Sequence, residues 1–227
     1  MTSPQTTCWT LIQGAAAGRR EDRDEFARLY APAVRAYLAA RWQGLPHIHS
    51  LDDAVQEVFV DCFKCGGALD RVDAERPGGF RAFLYGVVRV VALRFEKQHN
   101  TRREHPVPGG VAADGAAAED PHLSRVFDRA WAEAVMQEAA VRQARHARET
   151  GGAALRRVEL LHLRFYENKP IREIARLWEV DAAQLHHEYA RAREEFHAML
   201  REVVAFHHPG TPAAVEQECA QLLAMLQ

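Results

Sequence analysis

The sequence lacks the features that mark secreted and membrane proteins. It has four cysteines among 227 residues, too few for a disulfide framework. No apolar run approaches the roughly 18 residues of a membrane-spanning helix. The N-terminus has neither the basic nor the apolar region of a secretory signal. We therefore expect a cytoplasmic protein with no membrane partner.

The chain also lacks an excess of charge of one sign. Lys and Arg number 29 and Asp and Glu number 31, which gives a formal net charge of −2. Proteins that coat nucleic acid by bulk electrostatics are strongly basic, so this balance argues against that class. It leaves open DNA binding through local basic patches, or DNA binding that requires a partner protein.

Strand signals and catalytic motifs are missing as well. No segment alternates apolar and polar residues over more than a few positions, and hairpin turn pairs between β-branched runs are absent. The nucleophile elbow, the Walker loop, the HExxH zinc motif and the dinucleotide fingerprint are also absent. We therefore predict an all-α fold with no catalytic residues and no cofactor.

Apolar residues make up 48% of the chain and recur at helical spacing in several blocks. The pattern predicts two helical domains, at residues 7–105 and 120–206, joined by a flexible linker at residues 106–119 that is rich in Pro, Gly and Ala. Residues 207–227 are predicted to form a C-terminal helical extension. Trp131 lies on an amphipathic linker helix, and we expect this helix and the terminal helix to pack on the second domain.

One helix of the first domain is marked by a regular apolar stripe. The stripe consists of Leu51, Ala54, Val55, Val58, Phe59, Cys62 and Phe63. The opposite side of the helix carries Asp52, Asp53, Gln56 and Glu57. Carboxylates and an amide opposite a packed stripe suit either a solvated surface or a basic helical partner.

A candidate metal site lies near the same helix. Cys62 and Cys65 form a lone Cys-x-x-Cys pair, and His47 and His49 lie upstream. If residues 51–64 form one helix, His49 and Cys62 are about 20 Å apart, whereas zinc ligands converge on one ion. Cys62 also belongs to the apolar stripe. We therefore expect Cys62 in the core and no metal site.

The last third of the chain contains a helix-turn-helix pattern. A short helix that contains Ile174 precedes a turn at residues 179–181, and a long helix begins near Ala182. The second helix of such a unit can enter the major groove of DNA with its N-terminal residues nearest the bases. An ordinary packed helix pair is the structural alternative.

Four segments of the chain follow one another in a characteristic order. They are residues 26–38, residues 52–59, residues 79–85 with the basic helix that continues to Arg103, and the helix-turn-helix pattern. The order and spacing resemble the extracytoplasmic-function sigma factors of bacterial RNA polymerase. A subgroup with a Phe-Asp-Arg-x-Trp linker helix and a C-terminal extension is similar at residues 127–131 and in the tail.

The resemblance implies a protein that binds core RNA polymerase and directs promoter recognition. The polymerase β′ clamp helices would be bound by Asp52, Asp53, Gln56 and Glu57. The −10 element of promoter DNA would be bound by Phe80, Arg81, Tyr85, Arg89, Arg94, Lys97, Arg102 and Arg103, on a helix with five Lys or Arg and one acid between residues 89 and 103. The −35 element would be bound by Arg172, Gln184, His186, His187, Arg191 and Arg193. An anti-sigma factor or other regulator is a further candidate partner.

Several positions depart from the family pattern. Ser50 stands where an acid is usual, Val90 where an Asn is usual, His186 where a Lys is usual and Glu188 where an Arg is common. Residues 170–206 contain five Arg against seven acids, which weakens attraction to phosphate. Two alternatives therefore stay open: a sigma-like adaptor that binds polymerase without reading promoters, and a stand-alone helix-turn-helix regulator of transcription. An enzyme is the least favoured class.

Overall fold

The protein is built from helices throughout the part of the chain that the structure describes. This computed structural model describes residues 8–73, 79–103 and 120–226, with the backbone alone for residues 99–103. Within these ranges there is no strand, which confirms the predicted all-α class. The helices are α1 (Cys8–Ala16), α2 (Arg20–Arg41), α3 (Leu51–Phe63), α4 (Gly79–Arg103), α5 (Pro121–Thr150), α6 (Ala153–Phe165), α7 (Ile171–Leu177), α8 (Ala182–His207) and α9 (Pro212–Met225).

None of these helices is both long enough and apolar enough to cross a membrane. Short 3-10 segments at Pro46–Ser50 and Leu69–Arg71 connect helices of the first half of the chain. The predicted linker at residues 106–119 lies outside the described residues.

The chain divides into two compact units whose bounds differ from the predicted domains. The first unit is Met1–Ala134 with Ala220–Gln227, and the second is Val135–Cys219. The predicted boundary at residue 120 therefore falls within the first unit, and the predicted extension at 207–227 is shared between the two. The reason is aromatic packing: in the first unit Trp131 stacks on Tyr30 with ring centroids 5.3 Å apart, and Phe127 contacts Tyr85 at 5.4 Å. The first part of α5 thus packs in the first unit rather than in the second.

The apolar stripe of α3 faces the core of the first unit, as its spacing predicts. Ala54, Val55, Val58 and Cys62 are buried. The stripe meets an aromatic cluster on the neighbouring helices, where Phe26 lies 6.2 Å from Phe59 between ring centroids. One face of α3 is therefore buried in the core of the first unit, and the opposite face is accessible to solvent or to a partner.

A polar network ties the end of α2 to α4. Glu96 accepts hydrogen bonds from both the Arg41 guanidinium, at 2.6 and 3.0 Å, and the indole nitrogen of Trp42, at 2.7 Å. Burial alone would raise the pKa of Glu96, but these hydrogen bonds and the Arg41 charge outweigh it and lower the pKa. The acid that dilutes the basic helix in the sequence therefore has its charge compensated inside the first unit.

The second unit is organised around the short helix α7. Leu160 of α6, Ile174 of α7 and Leu185 of α8 share one buried cluster, and Trp178 and Val180 pack against it from the connecting turn. Glu179 adopts a positive φ of 53° in this turn, a conformation that reverses the chain direction at some cost for a residue with a side chain. The Asp181 side chain accepts a hydrogen bond from the backbone N–H of Gln184 at 2.9 Å and caps α8.

Candidate functional site

The polar face of α3 is open over most of its length. Asp52, Asp53 and Gln56 are exposed, and Asp52 forms an ion pair with Arg35. Glu57 is half-buried, and its carboxylate lies 3.2 Å from Arg94 of α4. Three of the four residues predicted to bind polymerase are thus exposed, whereas Glu57 is also held by its own unit.

The same face carries an apolar residue that the sequence analysis missed. Val60 is 57% exposed and follows Gln56 by one helical turn. The sequence does mark Val60, because it is an apolar, β-branched residue of α3 that does not belong to the apolar stripe. Asp53, Gln56 and Val60 form a row along the helix, so a charge, a hydrogen-bonding amide and an apolar side chain share one exposed surface.

Phe80, which the sequence predicts to bind the −10 element, lies in the core of the first unit. Phe80 is only 2% exposed, and its ring lies 5.0 Å from that of Tyr30 and 5.7 Å from that of Phe26. A side chain enclosed in this way cannot stack on a base without unfolding the core. Phe80 is an aromatic core residue at the start of α4.

The next two predicted DNA contacts on α4 face the first part of α5. The Arg81 guanidinium lies 3.6 Å from the Asp128 carboxylate and 3.3 Å from the sulfur of Met225. Tyr85 packs edge-on against Phe127 and Tyr37. Burial raises the pKa of Asp128, although the Arg81 charge opposes the shift. In this state of the protein both predicted contacts are occupied by residues of their own unit.

Further along α4 the predicted basic residues differ in their surroundings. Arg94 forms ion pairs with Glu57 at 3.2 Å and with Asp61 at 3.4 Å, so it joins α4 to α3. Arg89 is half-buried, and Lys97 is exposed. Arg102 and Arg103 lie on the last turn of α4, and their side chains are outside the described residues. The described part of α4 therefore offers less basic surface than its composition indicates.

The second unit presents its predicted DNA contacts together on the surface. All six residues are exposed: Arg172, Gln184, His186, His187, Arg191 and Arg193. Five of them lie on the N-terminal half of α8, and Arg172 lies on α7. Since Leu185 and Ala192 of the same helix are buried, α8 has one face in the core and the predicted contacts outside it. An exposed helix start with hydrogen-bonding and basic side chains has the shape and chemistry to enter a groove of duplex DNA.

The acids of α8 are held by a basic residue of α6. The Arg157 guanidinium binds Glu195 in a two-point contact, at 2.9 and 2.7 Å, and lies 3.2 Å from Glu188. The Arg157 side chain is only 13% exposed. In the sequence both acids weigh against DNA binding, and their partner is not evident there because Arg157 lies 31 and 38 residues away along the chain.

The cysteines do not converge on a metal site. Cys62 is buried in the α3 stripe, as predicted, whereas Cys65 is exposed beyond the end of the helix. Burial, aided by the charge of Asp61, raises the pKa of the Cys62 thiol to about 12. Among the described residues there is no group of three or more His, Cys, Asp or Glu side chains that could hold a metal ion.

Comparison with known proteins yields no relative. No family model matches the chain, and neither a curated protein nor a solved structure matches it.

Proposed function

We propose that the protein is an alternative sigma factor of the extracytoplasmic-function type, which binds core RNA polymerase and directs transcription initiation. The observation that carries the proposal is the arrangement of α7 and α8 at the end of the chain. The short helix α7 and the long helix α8, which Asp181 caps, together expose all six residues predicted to bind −35 DNA. A helix-turn-helix unit whose second helix reads the major groove would expose its contact residues in this way, and this supports the proposal.

The α3 face supports the polymerase-binding part of the proposal. Asp53 and Gln56 are exposed beside Val60, opposite a buried stripe, so a basic helical partner could dock there without disturbing the core. The formal charge of −2 fits a protein that meets DNA mainly as part of a larger complex.

The decisive experiment is in vitro transcription from fragmented genomic DNA of the source organism, with core polymerase in the presence and absence of the protein. We expect new, sequence-specific start sites only when the protein is present. The variant Asp53→Arg/Gln56→Arg should abolish both core binding and these starts, because it removes the negative charge of Asp53 and adds two positive charges where a basic partner would dock. Asp24→Arg, which changes an exposed acid of α2, is the matched control and should retain both.

A sigma-like adaptor is the second candidate, and the state of α4 favours it. Phe80 is buried, and Arg81 and Tyr85 are packed against residues of α5. A protein in this state could bind polymerase without capturing melted DNA. Core binding with no new start sites would support the adaptor, and sequence-specific binding of duplex DNA without core would support a stand-alone regulator. Unchanged core binding by Asp53→Arg/Gln56→Arg would refute the assignment of the α3 face.

A further inference from the structure

The ion-pair cluster of the second unit lies at the edge of the exposed face of α8. Glu188 and Glu195 are seven positions apart and therefore share one side of the helix. That side borders the core stripe of Leu185 and Ala192, both buried. Arg157 reaches both acids from α6, so one guanidinium compensates two carboxylates.

The cluster also borders the predicted phosphate contacts. Glu188 uses one carboxylate oxygen for Arg157 at 3.2 Å, and its other oxygen lies 3.9 Å from the guanidinium of Arg191. Arg191 is exposed at 70% of its side chain, whereas Arg157 is 13% exposed. Arg157 is thus the inner partner of Glu188 and Arg191 the outer one. Without the inner partner, Glu188 would turn toward Arg191 and neutralise it.

We infer that Arg157 is a positioning residue for DNA binding: by holding Glu188 and Glu195 against α6, it keeps Arg191 of α8 available for the phosphate backbone of duplex DNA. The inference rests on the proposed function only in that α8 faces duplex DNA. It accounts for two acids of α8 that count against DNA binding in the sequence, since their charges are compensated inside the unit.

The test separates charge from packing. The full chain is titrated with mixed-sequence duplex DNA over a range of salt concentrations, and circular dichroism checks that each variant is folded. Arg157→Met keeps most of the aliphatic stem but releases both acids. We expect its affinity to fall on the order of tenfold and its salt-dependence slope to fall by about one, the share of one phosphate contact. The triple variant Arg157→Met/Glu188→Gln/Glu195→Gln should restore both quantities, although the ion pairs remain absent.

Arg156→Met is the matched control. Arg156 is the preceding residue of α6 and is exposed, and its guanidinium lies over the ring of Trp178 at 4.7 Å rather than on the acids of α8. Its removal takes away the same charge without releasing a carboxylate, so the salt slope should stay unchanged.

Three results would overturn the inference. They are a loss in Arg156→Met equal to that in Arg157→Met, a triple variant that is folded but still weak, or no duplex binding by the unaltered chain even at low salt. Failure of the proposed function is recognised separately, because core binding and start-site formation by the unaltered chain do not depend on this titration.

Discussion

The two long helices α4 and α8 differ in how they display the residues assigned to DNA. On α4, Phe80 is buried in the core, and Arg81 and Arg94 form ion pairs with acids of their own unit. On α8, every assigned residue is exposed; Arg191 lies 3.9 Å from Glu188, but the shorter ion pairs of Glu188 and Glu195 are made with Arg157 of α6. An aromatic or basic residue on a helix therefore indicates DNA contact only when the buried face of that helix is known.

The largest effect that we expect is on stability, and it tests whether α4 contributes to the core as well as to the proposed DNA binding. Phe80→Ala removes a ring that packs against five aromatic neighbours, so it should lower the free energy of unfolding by about 3–5 kcal/mol. Denaturant unfolding followed by circular dichroism measures the change. Val90→Ala on the same helix is the control, because Val90 is 59% exposed and its loss should cost less than about 0.5 kcal/mol. An unchanged unfolding free energy for Phe80→Ala would contradict the packing seen here.

A second effect distinguishes the two units by their response to pH. In the second unit, burial of His207 lowers its pKa to about 3, and the charges of Arg142 and His208 add to the shift. In the unfolded chain a histidine has a pKa of about 6.5, so the unfolded state binds the proton first. Stability should then fall by about 1.4 kcal/mol per pH unit as the pH drops from about 6.5 toward 3.

The carboxylates of the first unit respond at lower pH. Burial alone would raise the pKa of Asp61, but its hydrogen bond from Lys64 and the charge of Arg94 lower it, and the pKa of Glu96 is lowered as well. Their contribution to the free energy of unfolding is present above about pH 4 and is lost as the pH falls below that value.

Urea unfolding at a series of pH values measures the responses of His207 and of these carboxylates. His207→Gln should flatten the slope between about pH 6.5 and 4.5, and a slope that persists in this variant would assign the effect to another group.

The smallest effect on stability is expected for α8, whose exposed arginine Arg191 can be compared with Arg81 of α4. Arg191→Ala should change the free energy of unfolding by less than about 0.5 kcal/mol, because the side chain is exposed. Arg81→Ala should cost more, since it leaves the half-buried Asp128 without its partner. Thermal unfolding of the two variants side by side measures the difference. An equal loss of unfolding free energy in the two variants would contradict the difference in burial and ion pairing between Arg81 and Arg191.

Periodicity predicted the parts of the fold that depend on local pattern. The α3 stripe of Ala54, Val58 and Cys62 is buried, and Ile174 and Leu185 meet in one cluster, because a helical stripe indicates which face needs cover. The same pattern does not say what provides the cover. Trp131 was therefore expected on the second domain and instead stacks on Tyr30.

Charge and aromatic content predicted the candidate site less well. Phe80 lies next to Arg81 in the sequence, yet one side chain is in the core and the other is at an ion pair. The acids of α8 looked unfavourable for DNA because a count over residues 170–206 leaves out Arg157. Ion pairs between distant segments are a property of the folded chain, and a count along the sequence does not contain them.

The burial of the cysteines makes the unaltered protein suitable for site-specific labelling. Cys8, Cys62 and Cys219 are buried, and burial raises the pKa of Cys8 and Cys62 to about 12, so their thiolates are scarce at neutral pH. Cys65 alone among the four is exposed, two residues beyond the end of α3. A maleimide dye would therefore attach at one position beside the proposed docking face. Fluorescence from that position would report in real time whether core polymerase, the partner we propose, binds this face, without any engineered cysteine.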